Sequence, residues 1–164
     1  FPLSLFFSER TMLLVSRLFR IIALVHHTQE RLKGAWLLLA KGHLEKTTGL
    51  LALRHSLQYF TSTLNRYLLL DVVDAEFAHL EMKTLRATSL DEILAAHSFC
   101  LGQCLAKSFL EASAQEVLAT VVGILDQALQ LCNTLDEAEE GAFADRPVLL
   151  VSRLKAIEAT FRDL

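Results

Sequence analysis

The sequence predicts an all-α fold, an antiparallel bundle of about five helices with two of them long. Three observations point there. Apolar residues recur at three- and four-residue steps through most of the chain, the spacing of one helix face. Only two prolines and six glycines are present to interrupt that spacing. Two serine-led capping boxes mark helix starts in the second half. At 164 residues the chain is one domain's worth, long enough to bury roughly two thirds of the surface its unfolded form exposes. Its residues are 52% hydrophobic, so some helices are expected to be apolar on more than one side.

Phe1 to Phe7 reads as an extended lead-in, with Ser8 the N-cap of a helix beginning at Glu9. Met12, Val15, Leu18, Phe19, Ile22, Val25, Leu32, Trp36 and Leu39 form its apolar stripe. Gly42 and Gly49 then bracket a polar loop from Lys41. From Leu50 helical spacing resumes through Leu53, Leu57, Phe60, Leu64, Leu68, Val72, Ala75, Ala78, Met82 and Leu85, about 50 Å of helix if continuous. Around Tyr67 to Val73 it is apolar on every side except at Asp71, the mark of a central bundle helix. Ser89-Leu90-Asp91-Glu92 is a capping box: the serine accepts from the Glu92 amide and Glu92 reaches back to the serine N–H. That helix runs to about Phe109. Ser113 to Glu116 is a second box, opening a helix to about Leu135. Asp136 to Asp145, acidic around Gly141, reads as a surface loop. Pro147 opens the last helix, striped by Val148, Val151, Leu154, Ile157 and Phe161.

Composition excludes several classes. A net charge of -3, with 16 dispersed basic residues, argues against a nucleic-acid partner. The window from Met12 to Val25 is cut by Arg17 and Arg20, and that from Val117 to Leu125 is bounded by Glu116 and Asp126; both fall short of the roughly 20 residues a bilayer requires, so no membrane span is expected. Three cysteines do not make a disulfide framework, and a reducing cytoplasm is the expected compartment. Phe1, not Met, stands first in an apolar run, so the chain is expected to be a segment of a longer protein. The dense cluster Phe1, Leu3, Leu5, Phe6 and Phe7 is expected to pack across the bundle or lie in an interface.

Catalytic groups are sparse. His97, Cys100 and Cys104 share one helix face and resemble the start of a zinc site, but no further ligand pair accompanies them, so no metal is expected and a structural role is preferred. Asp71 amid apolar neighbours reads either as a buried acid or base, or as a residue paired with a cation or set at a bend. His26 and His27 point to different faces. No nucleophile motif or phosphate-binding loop is visible, so no catalytic residue is assigned. The acidic segment around Glu139 and Glu140 reads as solvated.

The stretch from Arg54 to Leu110 resembles the C-terminal domain of the gamma-tubulin complex proteins. The family pattern "H-x-x-x-F…L-x-x-Y-L-x-x-D/E-V-L/V" is met by His55, Phe60 (one position along), Leu64, Tyr67, Leu68, Asp71, Val72 and Val73, followed by Phe77. Its later "H-x-x-F-L" is met by His97, Phe99 (again offset by one), Leu101 and Cys104. The lead-in "Y/F-P-L-x-L-x-x-S", with a tryptophan near the end of the first helix, is met by Phe1, Pro2, Leu3, Leu5, Ser8 and Trp36. Short loops and the run Leu105 to Phe109 look most similar to the short fourth component. Asn65-Arg66-Tyr67 stands where the family more often has an aromatic pair, and Phe77 where tryptophan is frequent.

The resemblance implies a non-enzymatic scaffold, without a cofactor, that holds gamma-tubulin and helps template microtubules at a centrosome or spindle pole. It implies that other complex components are met through an N-terminal domain outside this chain. Arg54, His55, Gln58 and Asp74 are the polar candidates for gamma-tubulin contact, with core support the preferred role of His55; His97 is expected to be buried and hydrogen-bonded. Two alternatives remain at this point: a generic helical adaptor, and a metal-dependent bundle enzyme built on His97, Cys100 and Cys104.

Overall fold

The computed structural model describes residues 8–40, 48–143 and 147–163. The expected class holds: all-α, about five helices, two of them long, with no strand among the described residues. In order these are α1 (Glu9–Ala40); a continuous helix made of α2 (Thr48–Arg66), a π-helical stretch (Tyr67–Asp74) and α3 (Ala75–Arg86); α4 (Leu90–Lys107); α5 (Gln115–Glu139), entered through a 3-10 turn at Ala112–Ala114; and α6 (Pro147–Asp163). The apolar lead-in and most of the predicted loop after Lys41 lie outside the described residues.

Helix ends follow the local chemistry. Ser8 caps α1, its Oγ accepting from the Thr11 amide at 3.2 Å. Ser89 caps α4, accepting from the Glu92 amide at 3.3 Å. Glu92 differs from expectation: it reaches one residue further back and accepts from the Thr88 amide at 2.7 Å. Extended backbone at Ser89 brings the Thr88 N–H into its range. The acidic segment is partly helical, since α5 continues to Glu139. It closes with Gly141 at φ 84, where the Ala142 amide donates to Glu137 O and the Gly141 amide to Ala138 O, a Schellman ending that glycine accommodates without steric cost.

The chain packs as two compact units, Phe1–Ala23 with Leu64–Leu118, and Leu24–Thr63 with Ala119–Leu164. In the second, Leu32, Leu57 and Leu131 are fully buried and share one core with Leu39, Leu53, Leu135, Phe143, Leu154 and Ile157. Each such leucine contributes about 1.5–3 kcal/mol by leaving water. Thr28 and Thr61, also fully buried, donate to the carbonyls of Leu24 and Leu57 four residues back, so their hydroxyls cost the core no unmet bond. In the first unit α3 and the π stretch before it pack on α4 across the turn Ala87–Ser89, and Leu68 and Val72 of the π stretch and Cys100 and Cys104 of α4 are buried.

The stripes differ in detail from the sequence reading. In α1 the buried face is Leu18, Ile21, Val25, Thr28, Leu32, Ala35 and Leu39, a strict alternation of three and four, so Met12, Val15, Phe19 and Trp36 fall outside it. In α6 the seam is Leu150, Leu154 and Ile157, which leaves Val148 81% exposed and Val151 off the face. The middle of the second long helix is not covered all round: Leu69, Leu70 and Asp71 face solvent. Its α-helical stripe was expected to continue through Ala75, Ala78, Met82 and Leu85. Instead the buried positions are Leu64, Leu68, Val72 and Glu76. The wider i→i+5 turns of the π stretch keep every fourth residue on the core side, so the face slips by one and Met82 and Leu85 are exposed.

Candidate functional site

A cluster of polar contacts lies in the first unit, around the C-terminal end of α4. A helix end leaves carbonyls without intrahelical partners. Here each finds one. The Ser108 amide donates to Cys104 O, the Leu110 amide to Leu105 O and the Phe109 amide to Ala106 O. The Tyr67 hydroxyl donates to Lys107 O at 2.9 Å. Arg17 Nη2 donates to Leu110 O at 2.5 Å. The chain turns left-handed at Phe109, φ 62, in a Schellman ending of the kind that usually holds glycine, and the ring stacks on Tyr67 with centroids 6.0 Å apart.

Beside this ending sits Glu76, 3% exposed at the close of the four-residue stripe. Lys107 Nζ donates to its Oε1 at 2.5 Å and His79 Nδ1 lies 3.8 Å from Oε2. The bond from Lys107 holds the Glu76 carboxyl below its ordinary range, against the opposing pull of burial, and the same bond raises Lys107. Cys100 Sγ lies 3.5 Å from Glu76 O. Burial pushes the Cys100 thiol up and takes Cys104 to about 12, so neither is a nucleophile at neutral pH.

The second unit carries a ladder between α1 and α2. Arg54 donates from Nε and Nη2 to Leu32 O at 3.3 and 3.2 Å, and its guanidinium lies 5.2 Å from the Trp36 ring centroid. Arg54 Nη2 also meets Gln58 Oε1 at 3.5 Å, and Gln58 Nε2 donates to Ser62 Oγ at 3.0 Å. Burial lowers the Arg54 pKa from its ordinary value. Arg31 donates to Asn133 and Asp136 of α5 at 2.8 and 2.7 Å.

Of the four polar candidates, Arg54 and Gln58 are thus joined to each other, half-buried and occupied. His55 is exposed, not core-supporting, because it stands two residues from both Leu53 and Leu57, on the far side of α2 from their face. Asp74 is exposed on the π stretch and belongs to the first unit. His97 is half-buried, not buried. Asp71 is exposed, so the buried-acid reading fails: the π turns direct Leu68 and Val72 inward in its place. Glu76 was missed, because the expected α register assigned its face to Ala75.

No group of three or more His, Cys, Asp or Glu side chains able to hold a metal occurs among the described residues. By length and composition alone, one stretch, Leu90–Glu139, is apolar enough to cross a membrane. The left-handed turn at Phe109 and the polar break at Glu111–Ser113 divide it into α4 and α5.

Buried charge here joins helices and ends them, within an all-α domain. The chain belongs to the gamma-tubulin complex component family: the family's C-terminal region, described as "Gamma tubulin complex component C-terminal", matches residues 1–164. No curated protein matches the sequence closely enough to count as a relative. Membership implies a role in a gamma-tubulin complex, a structural assembly of the cytoskeleton associated with microtubule-organising centres.

Proposed function

We propose that this chain binds gamma-tubulin and, as part of a longer protein whose N-terminal domain contacts neighbouring components, helps template microtubule nucleation at a centrosome or spindle pole. The observation that carries the reading is the family match across residues 1–164. The physical role follows from preorganisation: subunits held side by side on a fixed support no longer lose that freedom when a microtubule starts. The reading is non-enzymatic and involves no cofactor, nucleic acid or membrane.

Arg54, His55, Gln58 and Asp74 are proposed contact residues. The structure favours His55 and Asp74 among them, because both are exposed, whereas Arg54 and Gln58 are engaged between helices. Asp74 lies beside Leu70 and Phe77, 53% and 51% exposed, which supplies an apolar surface next to a charge. Co-purification of the full-length parent with purified gamma-tubulin tests the function. Asp74→Arg is expected to weaken capture at least tenfold, while Glu139→Arg leaves it unchanged. A parent that repeatedly fails to retain gamma-tubulin overturns the reading.

A further inference from the structure

We propose that Ser89 is a phosphorylation site for an arginine-directed serine kinase. Arg86-Ala87-Thr88-Ser89-Leu90 places an arginine three residues before a serine and a leucine directly after it, and nowhere else in the sequence does a serine or threonine follow an arginine at that spacing. Kinases of this class select substrates by such charge patterns, seating the guanidinium in an acidic cleft. The structure makes the motif reachable. Thr88, Ser89 and Arg86 are exposed, and Leu90 is 50% exposed. The backbone is extended at Ala87 (φ -68, ψ 136) and at Ser89 (φ -138, ψ 158) within a bend, while Arg86 ends α3 and Leu90 begins α4, so seating all five residues in a kinase cleft requires these two helix ends to unwind.

In the transfer, the Oγ–P bond to Ser89 forms as the γ-phosphoryl group leaves the bridging oxygen of a nucleoside triphosphate. The nucleoside diphosphate departs and the hydroxyl proton passes to the kinase's base. The product carries about -1.5 to -2 of charge and three acceptor oxygens at the first turn of α4, where free amides and the helix dipole favour an anion. The Ser89 Oγ now accepts from the Glu92 amide. Phosphate oxygens take over that bond and repel the Glu92 carboxylate from the Thr88 amide, which it holds at 2.7 Å. Lys83 and Arg86 line a groove that also includes Phe99 and Glu92, the residue whose amide Ser89 accepts from. The modification therefore rewires the α3–α4 turn and sets an anion next to Leu90, which is 50% exposed.

The test incubates the whole chain with a purified arginine-directed serine kinase and Mg-ATP, followed by site-localising mass spectrometry. Ser89→Asn removes the acceptor while keeping a strong N-cap. Arg86→Gln removes the recognised charge at an exposed position. One phosphate at Ser89, none in Ser89→Asn, and at least tenfold slower incorporation in Arg86→Gln support the site. No phosphate on the folded chain, phosphate at Thr88 instead, or an unchanged rate in Arg86→Gln overturns it. So does labelling of a peptide spanning residues 83–94 when the folded chain stays unlabelled, since α4 then shields the motif.

Discussion

Replacing Phe109 by alanine and by glycine separates what its ring contributes from what its backbone costs. At φ 62 a Cβ crowds the following carbonyl, a cost of about 1–2 kcal/mol. Against this, the ring stacks on Tyr67 at 6.0 Å and 24°. Such a stack contributes about 0.5–1.5 kcal/mol, and half-burial of a phenylalanine roughly 1 kcal/mol more. Phe109→Ala keeps the crowding and loses the ring, so it is expected to destabilise by about 2 kcal/mol, or about 4–8 °C in Tm. Phe109→Gly loses the same ring but releases the crowding, offset by about 0.5–1 kcal/mol of extra chain entropy in the unfolded state. The glycine variant is thus expected to be more stable than the alanine variant by about 0.5–1 kcal/mol, reversing the usual order for these two residues. Urea unfolding followed by far-UV circular dichroism, with equal slopes for both variants, measures the difference. An alanine variant as stable as the glycine variant, or more so, refutes the left-handed ending of α4.

Other expectations follow from the same physical chemistry. Gly141→Ala, at φ 84, is expected to lose about 1 kcal/mol, and Gly102→Ala, in mid-helix with nothing within 4 Å of the new methyl group, to gain about 0.5–1 kcal/mol; thermal melts of both decide it. Leu57→Ala, at a fully buried site, should cost about 3–5 kcal/mol in urea unfolding, and a loss below about 1 kcal/mol would remove Leu57 from the core. Glu76 binds its proton less tightly folded than unfolded, so its contribution is complete above its unfolded value near 4.5 and fades as pH falls through the lower folded value; Glu76→Gln should flatten the acid side of the stability profile. Lys107 has the opposite sign: its contribution is complete below 10.5 and fades as pH rises beyond it. Cys104 and Cys132, pushed up to about 12 and about 11, should resist thiol reagents at neutral pH in the folded chain and react once urea unfolds it.

What could be read in the sequence was governed by short-range chemistry. Ser8 and Ser89 cap the helices they were expected to cap, because a cap depends on a side chain and an amide three residues away. Pro147 opens α6 for an equally local reason. The faces of long helices were less legible, since apolar residues outnumber the positions one seam can bury: Val148, Phe19 and Leu85 fit a three-and-four spacing yet lie exposed. The Glu76–Lys107 pair and the Tyr67 bond to Lys107 O join residues 31 and 40 positions apart, which no local pattern reveals. The expected burial of His55 came from likeness to a family motif. Its exposure follows from helix geometry, once Leu53 and Leu57 define the buried side.

The π stretch explains both the misread register and its remedy. At 3.6 residues per turn, Glu76, twelve residues after Leu64, would lie about 120° around the helix from it. Both are buried on one side because the turns between Tyr67 and Asp74 are wider. Removing one residue there makes the separation eleven, which in ordinary α geometry places Glu76 about 20° from Leu64. Deletion of Leu70, 53% exposed, is therefore expected to convert the stretch to α-helix and keep Glu76 against Lys107. The readout is the acid side of the stability profile in the deletion variant with and without Glu76→Gln: the difference between the two should persist. Were the stretch ordinary α-helix already, the same deletion would swing Glu76 by about 100° off its face. That difference would then vanish along with cooperative unfolding, and the register argued from Leu64 to Glu76 would fall with it.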